Sequence, residues 1–186
     1  MEYMKMEYVK TIFYLITLSV VLGCSTTVIQ SGKPVNPSEP WVLLPIQNYS
    51  QSPQASERVR EMLATLMRVH GVASIEFYSS AQSDNALPEI DEYRRYQQAL
   101  TWARDQHFTY ALTGSVEEWG YKRGIEGEPA VALSLRVVEV ATGKVLWSAT
   151  GARSGWGRES VSGTALKLLN ELLSTLEVSS LKSAST

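Results

Sequence analysis

The sequence predicts one α/β domain, in which helices pack on a mixed β-sheet and the elements follow the order β-α-β-α-β-β-β-α. Residues 108–117 and 131–140 alternate apolar with polar side chains, the period of two that a strand with one buried face produces. The second strand also becomes apolar on its other face at Val138 and Val140, which predicts that it is covered on both sides near its end. Three other segments place apolar residues three and four apart, as amphipathic helices do. Right-handed crossovers allow the first three strands to lie parallel, and the last three strands form an antiparallel meander.

The first strand and the first helix follow one another early in the chain. Residues 41–48 form a nearly continuous apolar run, which is typical of a strand covered on both faces. Pro45 cannot donate a backbone hydrogen bond, so it indicates a bulge or a sheet edge. Ser52 followed by Pro53 predicts a helix N-cap, and Gly71 predicts the end of that helix.

The remaining elements follow from turn and cap residues. Residues 74–78 predict a short strand, and Asp91 predicts the N-cap of a second helix. The Thr142-Gly143 step predicts a tight hairpin inside the meander, because glycine supplies the positive φ that such turns need. Ser160 starts the last helix, whose inner face consists of Val161, Ala165, Leu168, Leu172 and Leu176.

The N-terminal segment predicts an export signal. Lys5 and Lys10 precede an apolar run, residues 11–23, which at about 1.5 Å per residue is too short to span about 30 Å of hydrocarbon. This run ends at Cys24, the single cysteine of the chain, and residues 21–24 (VLGC) look like a bacterial lipobox. An uncleaved anchor or an ordinary signal peptide is the alternative.

The segment after the cysteine predicts a tether. Residues 25–40 contain three prolines and little periodicity, so they are expected to hold the domain on the membrane or some way off it. Ser25 in place of an aspartate resembles an outer-membrane lipoprotein rather than one retained at the inner membrane. The predicted division is residues 1–23 as signal peptide, 24–40 as lipidated cysteine and flexible tether, 41–178 as the domain, and 179–186 as a frayed tail.

Composition excludes several classes of function. The formal net charge is −2, and the predicted signal peptide holds equal numbers of acidic and basic residues, so a strongly basic nucleic-acid-binding protein is excluded. One cysteine cannot form an intrachain disulfide or a multi-cysteine metal site. The two histidines, His70 and His107, lie on different predicted elements, so no metal site and no other cofactor is expected.

The spacing of the candidate catalytic residues argues against an enzyme. Residues 151–155 read G-A-R-S-G, which lacks the G-x-S-x-G spacing of a nucleophile elbow. Glu117 and Glu118 are adjacent on a predicted strand, where adjacent side chains point to opposite faces, so they should not converge. The loop of residues 120–129 joins two strands and does not open a helix, which argues against a phosphate-binding loop.

Two features, one inside the meander and one after its last strand, suggest a binding function. Glu126 and Glu128 lie in the loop between its first two strands, where solvated turn residues are the simpler interpretation. Trp156 lies between two glycines after the last strand and is followed by Arg158. An aromatic ring with a polar N–H suits a lipid–water interface, and arginine can meet headgroup phosphates. Packing of Trp156 back onto the core fits the sequence equally well.

A family resemblance lies in the order and spacing of four short segments. They are residues 41–49 (WVLLPIQNY), 110–119 (YALTGSVEEW), 127–131 (GEPAV) and 143–151 (GKVLWSATG). Together they resemble the PelC family, the outer-membrane lipoproteins of the Pel exopolysaccharide system, over residues 41–173. The expected fold is also similar to that of the N-terminal domain of TolB.

The resemblance implies a homo-oligomeric ring, of twelve subunits in the family, at the periplasmic face of the outer membrane. Such a ring surrounds or supports the β-barrel exporter PelB and presents an acidic funnel to a cationic polysaccharide that is exported to the biofilm matrix. By position, Cys24 is the lipidated residue, and Glu126 replaces the family's funnel aspartate, with Glu128 beside it. Trp156, with Arg158 beside it, takes the place of the family's membrane-contacting tryptophan.

Two other classes of function stay open at this point. A periplasmic lipoprotein that activates a peptidoglycan synthase would use a similar small α/β domain, but it would bind its partner enzyme as a monomer. A hydrolase that acts on the polymer would turn over substrate as a purified protein.

Overall fold

The computed structural model describes residues 25–30, 32–79, 92–122, 127–156 and 158–179. The strands are β1 (Ser25–Gln30), β2 (Trp41–Asn48), β3 (Ile75–Phe77), β4 (Tyr110–Tyr121), β5 (Pro129–Glu139) and β6 (Val145–Ser154). The helices are α1 (Ala55–Val69), α2 (Glu92–Asp105) and α3 (Val161–Leu173). The sheet order is β1-β6-β5-β4-β2-β3, in which β2 pairs parallel with β3 and β4, and the other pairs are antiparallel. The predicted mixed sheet with a C-terminal meander is confirmed.

The helices cover the two faces of the sheet unequally. Helices α1 and α3 pack on one face, where the large core side chains include Leu43, Leu63, Met67, Leu112, Leu133, Leu168 and Leu172. Helix α2 packs on the other face over a smaller cluster, which includes Val42, Leu44, Ala111, Val138 and Val140. The continuous apolar run of β2 follows from this double coverage. The prediction of a single buried face is wrong at the start of β4, because α2 covers Ala111 while Leu112 faces the larger core.

The ends of the helices match the sequence in part. Helix α1 begins at Ala55, so the predicted N-cap at Ser52 is wrong. The Ser52 carbonyl accepts a hydrogen bond from Asn48 Nδ2 at 2.7 Å. Gly71, with φ of +94°, follows the helix as predicted. Ser160 caps α3, because its Oγ accepts a hydrogen bond from Gly163 N at 3.0 Å. Asp91 lies outside the described residues.

The segment expected to be a flexible tether is partly built into the sheet. Strand β1 pairs with β6 along its whole length, with Ser25 opposite Arg153 and Gln30 opposite Ser148. Val35 is completely buried, and its N–H donates to the Glu177 carbonyl at 2.9 Å. The sequence signal was weak because β1 is a short, largely polar edge strand whose partners are distant in sequence.

A β-bulge corrects the prediction for Glu117 and Glu118. The pairing of β4 with β5 shifts between Val116 and Glu118, and both glutamates are exposed while Val116 and Trp119 lie in the core. The bulge inserts one extra residue between the two core positions. The two neighbouring carboxylates therefore lie on the solvent side instead of pointing to opposite faces.

Candidate functional site

The β4–β5 hairpin and the end of β6 extend beyond the rest of the sheet. Asn48, the last residue of β2, pairs with Val116 of β4. Strand β4 continues beyond this pair to Tyr121, which pairs with Pro129 of β5. The Lys122 N–H donates to the Glu128 carbonyl at 2.7 Å, and Lys122 Nζ donates to Ser154 Oγ at 2.6 Å. We call this projecting part, formed by residues 119–122, 127–130 and 153–156, the hairpin end.

The structure describes one of the two predicted funnel residues, Glu128. Glu128 lies at the base of the hairpin loop with a half-buried side chain. Its backbone is held by the Lys122 N–H, so its position is set by the strand pairing. Glu126 lies outside the described residues. The acidic role of Glu126 is therefore a prediction from the sequence.

Trp156 is presented to solvent by a tightly packed glycine. Its side chain is 62% exposed, so it does not pack back onto the core of this domain. The N–H of the buried Gly155 donates to the Pro129 carbonyl at 2.8 Å. A Cβ at Gly155 would lie 2.6 Å from Thr164 Oγ1 and 2.8 Å from Pro129 Cγ. Only glycine therefore allows the chain to pass this close to β5 and α3 before the indole turns outward.

Glu159 braces the loop that carries Trp156 and the exposed Arg158. The Glu159 N–H donates to the Trp156 carbonyl at 2.8 Å, and Glu159 Oε1 lies 2.6 Å from Lys167 Nζ on α3. The hydrogen bond and charge of Lys167 hold the pKa of the Glu159 carboxyl below its ordinary value, against the opposing effect of desolvation. Sequence reasoning missed this pair, although its members are only eight positions apart and Lys167 lies on a predicted helix.

The N-terminal strand begins at the same end of the domain. Ser25 lies opposite Arg153, three positions before Trp156. Ser25 Oγ donates to both carboxylate oxygens of Glu171, and Arg153 Nη1 lies 3.2 Å from Glu171 Oε2. Cys24 itself lies outside the described residues. The residue that follows it is nevertheless fixed beside the hairpin end, which the sequence did not predict.

The hairpin end carries a second exposed aromatic ring. Tyr121, which sequence reasoning did not single out, is 58% exposed at the last position of β4. Within the described ranges, no helix is long and apolar enough to cross a membrane. The same part of the chain contains no group of three or more histidine, cysteine, aspartate or glutamate side chains that could hold a metal ion.

Comparison with known proteins relates this arrangement to solved structures. No protein-family model and no curated protein sequence matches the chain. The PelC dodecamer from Paraburkholderia phytofirmans is 32% identical to it, with a TM-score of 0.71, over 84% of this chain and 99% of that chain. A point variant of that dodecamer is 31% identical, also with a TM-score of 0.71, over 84% and 100%. The LpoB C-terminal domain from Salmonella enterica is 19% identical, with a TM-score of 0.49, over 67% and 88%, a likeness too distant to bear on function.

Proposed function

The chain belongs to the PelC family, and on this premise we propose that it is a non-enzymatic, lipid-anchored outer-membrane protein of exopolysaccharide export. It forms a ring, of twelve subunits like its relative, and guides a cationic polysaccharide to an outer-membrane β-barrel of the PelB type for export to the biofilm matrix. The observation that carries the proposal is 32% identity to a dodecamer over 99% of that chain.

The acidic funnel in this proposal is built from the hairpin loop. One carboxylate at position 126, with Glu128 at the base of the loop, is a small charge on a single subunit. Repeated around a ring, the same charge creates a focused negative potential that raises the local concentration of a cationic polymer. Weak, repeated contacts of this kind suit passage of a chain better than tight binding of single sugars.

The membrane contact in this proposal is the loop after β6, which carries Trp156 and Arg158. Trp156 and Arg158 meet the interface, where an indole and a guanidinium are both favourable. The support comes from β1, which fixes Ser25 beside Arg153 and so leaves little free chain between the proposed lipid on Cys24 and the hairpin end. The lipid anchor and Trp156 then lie on the same side of each subunit, and both contact the periplasmic leaflet of the outer membrane.

Oligomeric state is the decisive experiment. The full chain, extracted from membranes in mild detergent, is expected to give ring-shaped particles by electron microscopy and a matching mass by light scattering. The alternative of a one-to-one activator of a peptidoglycan synthase requires a monomer. Particles that contain only single subunits would therefore overturn the ring and the funnel together.

A further inference from the structure

A crevice that the proposed function does not use lies at the end of the sheet opposite the hairpin end. Three neighbouring parallel strands begin there, β3 at Ile75, β2 at Trp41 and β4 at Tyr110. The crevice has a volume of about 250 Å³, which is enough for several water molecules or for a ligand larger than a bare ion. Its described lining comes from the segments that lead into these three strands and from β3 itself.

Two carboxylates from different segments line the crevice. Glu39, before β2, is half-buried, and its Oε2 accepts a hydrogen bond from Thr109 Oγ1 at 3.1 Å. Its Oε1 accepts a hydrogen bond from Asn36 Nδ2 at 3.3 Å, so this carboxylate is held in one orientation. Glu76 is exposed in the middle of the edge strand β3. None of the described lining residues is a lysine or an arginine, so the charge of the crevice favours a cation.

The C-terminal end of α2 lies beside the crevice and adds to this preference. Phe108, which lines the crevice, follows the end of α2, and its N–H donates to the Ala103 carbonyl in the last turn of that helix at 3.0 Å. The carbonyl end of a helix carries a partial negative charge, which attracts cations. The carboxylates and the helix terminus belong to different elements, and both favour a positively charged ligand.

The neutral residues of the crevice indicate an organic cation rather than a metal ion. The Phe108 ring is half-buried and packs against the Trp102 ring, with the two ring centres 5.6 Å apart. An aromatic ring attracts an ammonium group and provides an apolar surface for the carbon atoms of a ligand. Ser38 and Ser74, both exposed, also line the crevice and can form hydrogen bonds with a hydroxylated ligand. The described residues contain no group of three or more potential metal ligands, whereas Ca²⁺ takes about six or more oxygens.

We propose that this crevice binds an amino sugar, with Glu39 and Glu76 as acceptors for its ammonium group and Phe108 as a wall for its ring. Hydrogen bonds from an ammonium group to carboxylates are charge-assisted and are therefore stronger than neutral ones. The proposal rests on the proposed function for the source of the ligand, a cationic polysaccharide. It does not require a ring, because all the lining residues belong to one subunit. Since the crevice and the acidic hairpin loop lie at opposite ends of the sheet, the polymer contacts them in succession.

Saturation-transfer difference NMR of the full chain in non-ionic detergent, at low ionic strength and slightly acidic pH, tests the site. Glucosamine, which is cationic under these conditions, is expected to bind with a dissociation constant on the order of 1 mM. N-acetylglucosamine is the matched neutral sugar and should bind about tenfold more weakly, because it lacks the ammonium group. n-Butylammonium, which represents a lysine side chain of a partner protein, should also bind more weakly than glucosamine, because it has no hydroxyl groups.

Variants of the lining residues separate binding from folding. Glu76→Gln, at an exposed position, should weaken glucosamine binding about tenfold, since it removes a charge-assisted hydrogen bond. The same variant should bind N-acetylglucosamine almost as the wild type does, whereas a general loss of structure would weaken both sugars. Phe108→Leu keeps an apolar side chain but removes the aromatic ring, and it should weaken glucosamine binding several-fold. Glu61→Gln is the matched control, since Glu61 is exposed on α1 and does not line the crevice.

The outcomes distinguish this site from the ring. Equal binding of glucosamine and N-acetylglucosamine by the wild type, or equal glucosamine binding by the wild type and Glu76→Gln, would overturn the proposal. Tighter binding of n-butylammonium than of glucosamine would overturn the choice of an amino sugar and would indicate a lysine side chain instead. Ring particles seen together with any of these results would leave the proposed function intact. Glucosamine binding by particles that contain only single subunits would support the crevice and overturn the ring.

Discussion

Ser25 Oγ donates hydrogen bonds to both carboxylate oxygens of Glu171, at 2.9 and 3.0 Å, and so ties β1 to α3 across 146 positions of the chain. Arg153 Nη1 lies 3.2 Å from the same carboxylate. One acidic side chain therefore holds β1, β6 and α3 together at the end of the domain where the proposed lipid anchor begins. With the proposed lipid on Cys24, a domain held in this way would have a defined orientation toward the membrane, which a free tether of sixteen residues would not provide.

Glu171→Ala is expected to release β1. The loss should be about 1 kcal/mol of unfolding free energy, because the carboxylate is partly exposed and its bonds are partly replaced by water. Amide hydrogen exchange of residues 25–30 should accelerate more than that of β4. Glu177→Ala, at an exposed position, is the control. Unchanged exchange in β1 would show that the backbone pairing with β6 holds the strand without this side chain.

Gly155→Ala is expected to destabilise the protein and displace Trp156. The added methyl group would lie within 3 Å of Thr164, Pro129 and Glu159 atoms, and overpacking of this kind costs about 1–3 kcal/mol. Denaturant unfolding measures the cost, and tryptophan fluorescence quenching measures the change around Trp156. Gly120→Ala is a matched control, since a Cβ there meets nothing within 4 Å. Equal stability of the two variants would contradict the packing role of Gly155.

The Glu159–Lys167 pair predicts a small acid-sensitive contribution to stability. Since the pKa of Glu159 is lowered in the folded state, the contribution is present above the ordinary glutamate pKa of about 4.3 and is lost as pH falls through the lowered folded value. It should be below about 1 kcal/mol, because Lys167 is 57% exposed. Glu159→Gln should therefore be less stable than wild type at pH 7 and closer to it at pH 3. Glu61→Gln, at an exposed position, is the control for the general acid response.

Glu126→Ala and Glu126→Lys are expected to lower polysaccharide export, and the charge reversal should lower it more. The physical reason is that each substitution is multiplied by the number of subunits around the ring. Secreted polymer is measured in cells with matched amounts of each protein. Glu61→Lys, an exposed reversal on α1, makes the same change of charge away from the hairpin end. Equal export from all these proteins would remove the funnel role.

Trp156→Ala is expected to weaken membrane association several-fold once the lipid anchor is removed. In a Cys24→Ala background, the loop after β6 must contact the membrane through its own side chains, and an indole is favourable at the interface. Flotation with vesicles of outer-membrane lipids measures the bound fraction. Val69→Ala, which shortens a side chain 73% exposed at the end of α1, is the control. Unchanged flotation of the Trp156 variant would indicate that its ring contacts a protein instead.

The elements that local patterns describe well were predictable from the sequence. The alternation in β4 and β5, the glycine after α1 and the serine cap of α3 each depend on residues close together in the chain, so their local preferences agree with the final fold. Trp156 could be identified as a candidate site residue from the sequence, because an aromatic residue between two glycines after a strand is an unusual local pattern.

Tertiary structure decided the features whose partners are distant in sequence. Strand β1 exists because β6 offers a free edge, and Glu171 and Arg153 complete its attachment. The β-bulge that brings Glu117 and Glu118 to one side likewise depends on a neighbouring strand. Local propensity determined which segments form strands and helices, whereas pairing and packing between distant segments determined where their polar side chains meet.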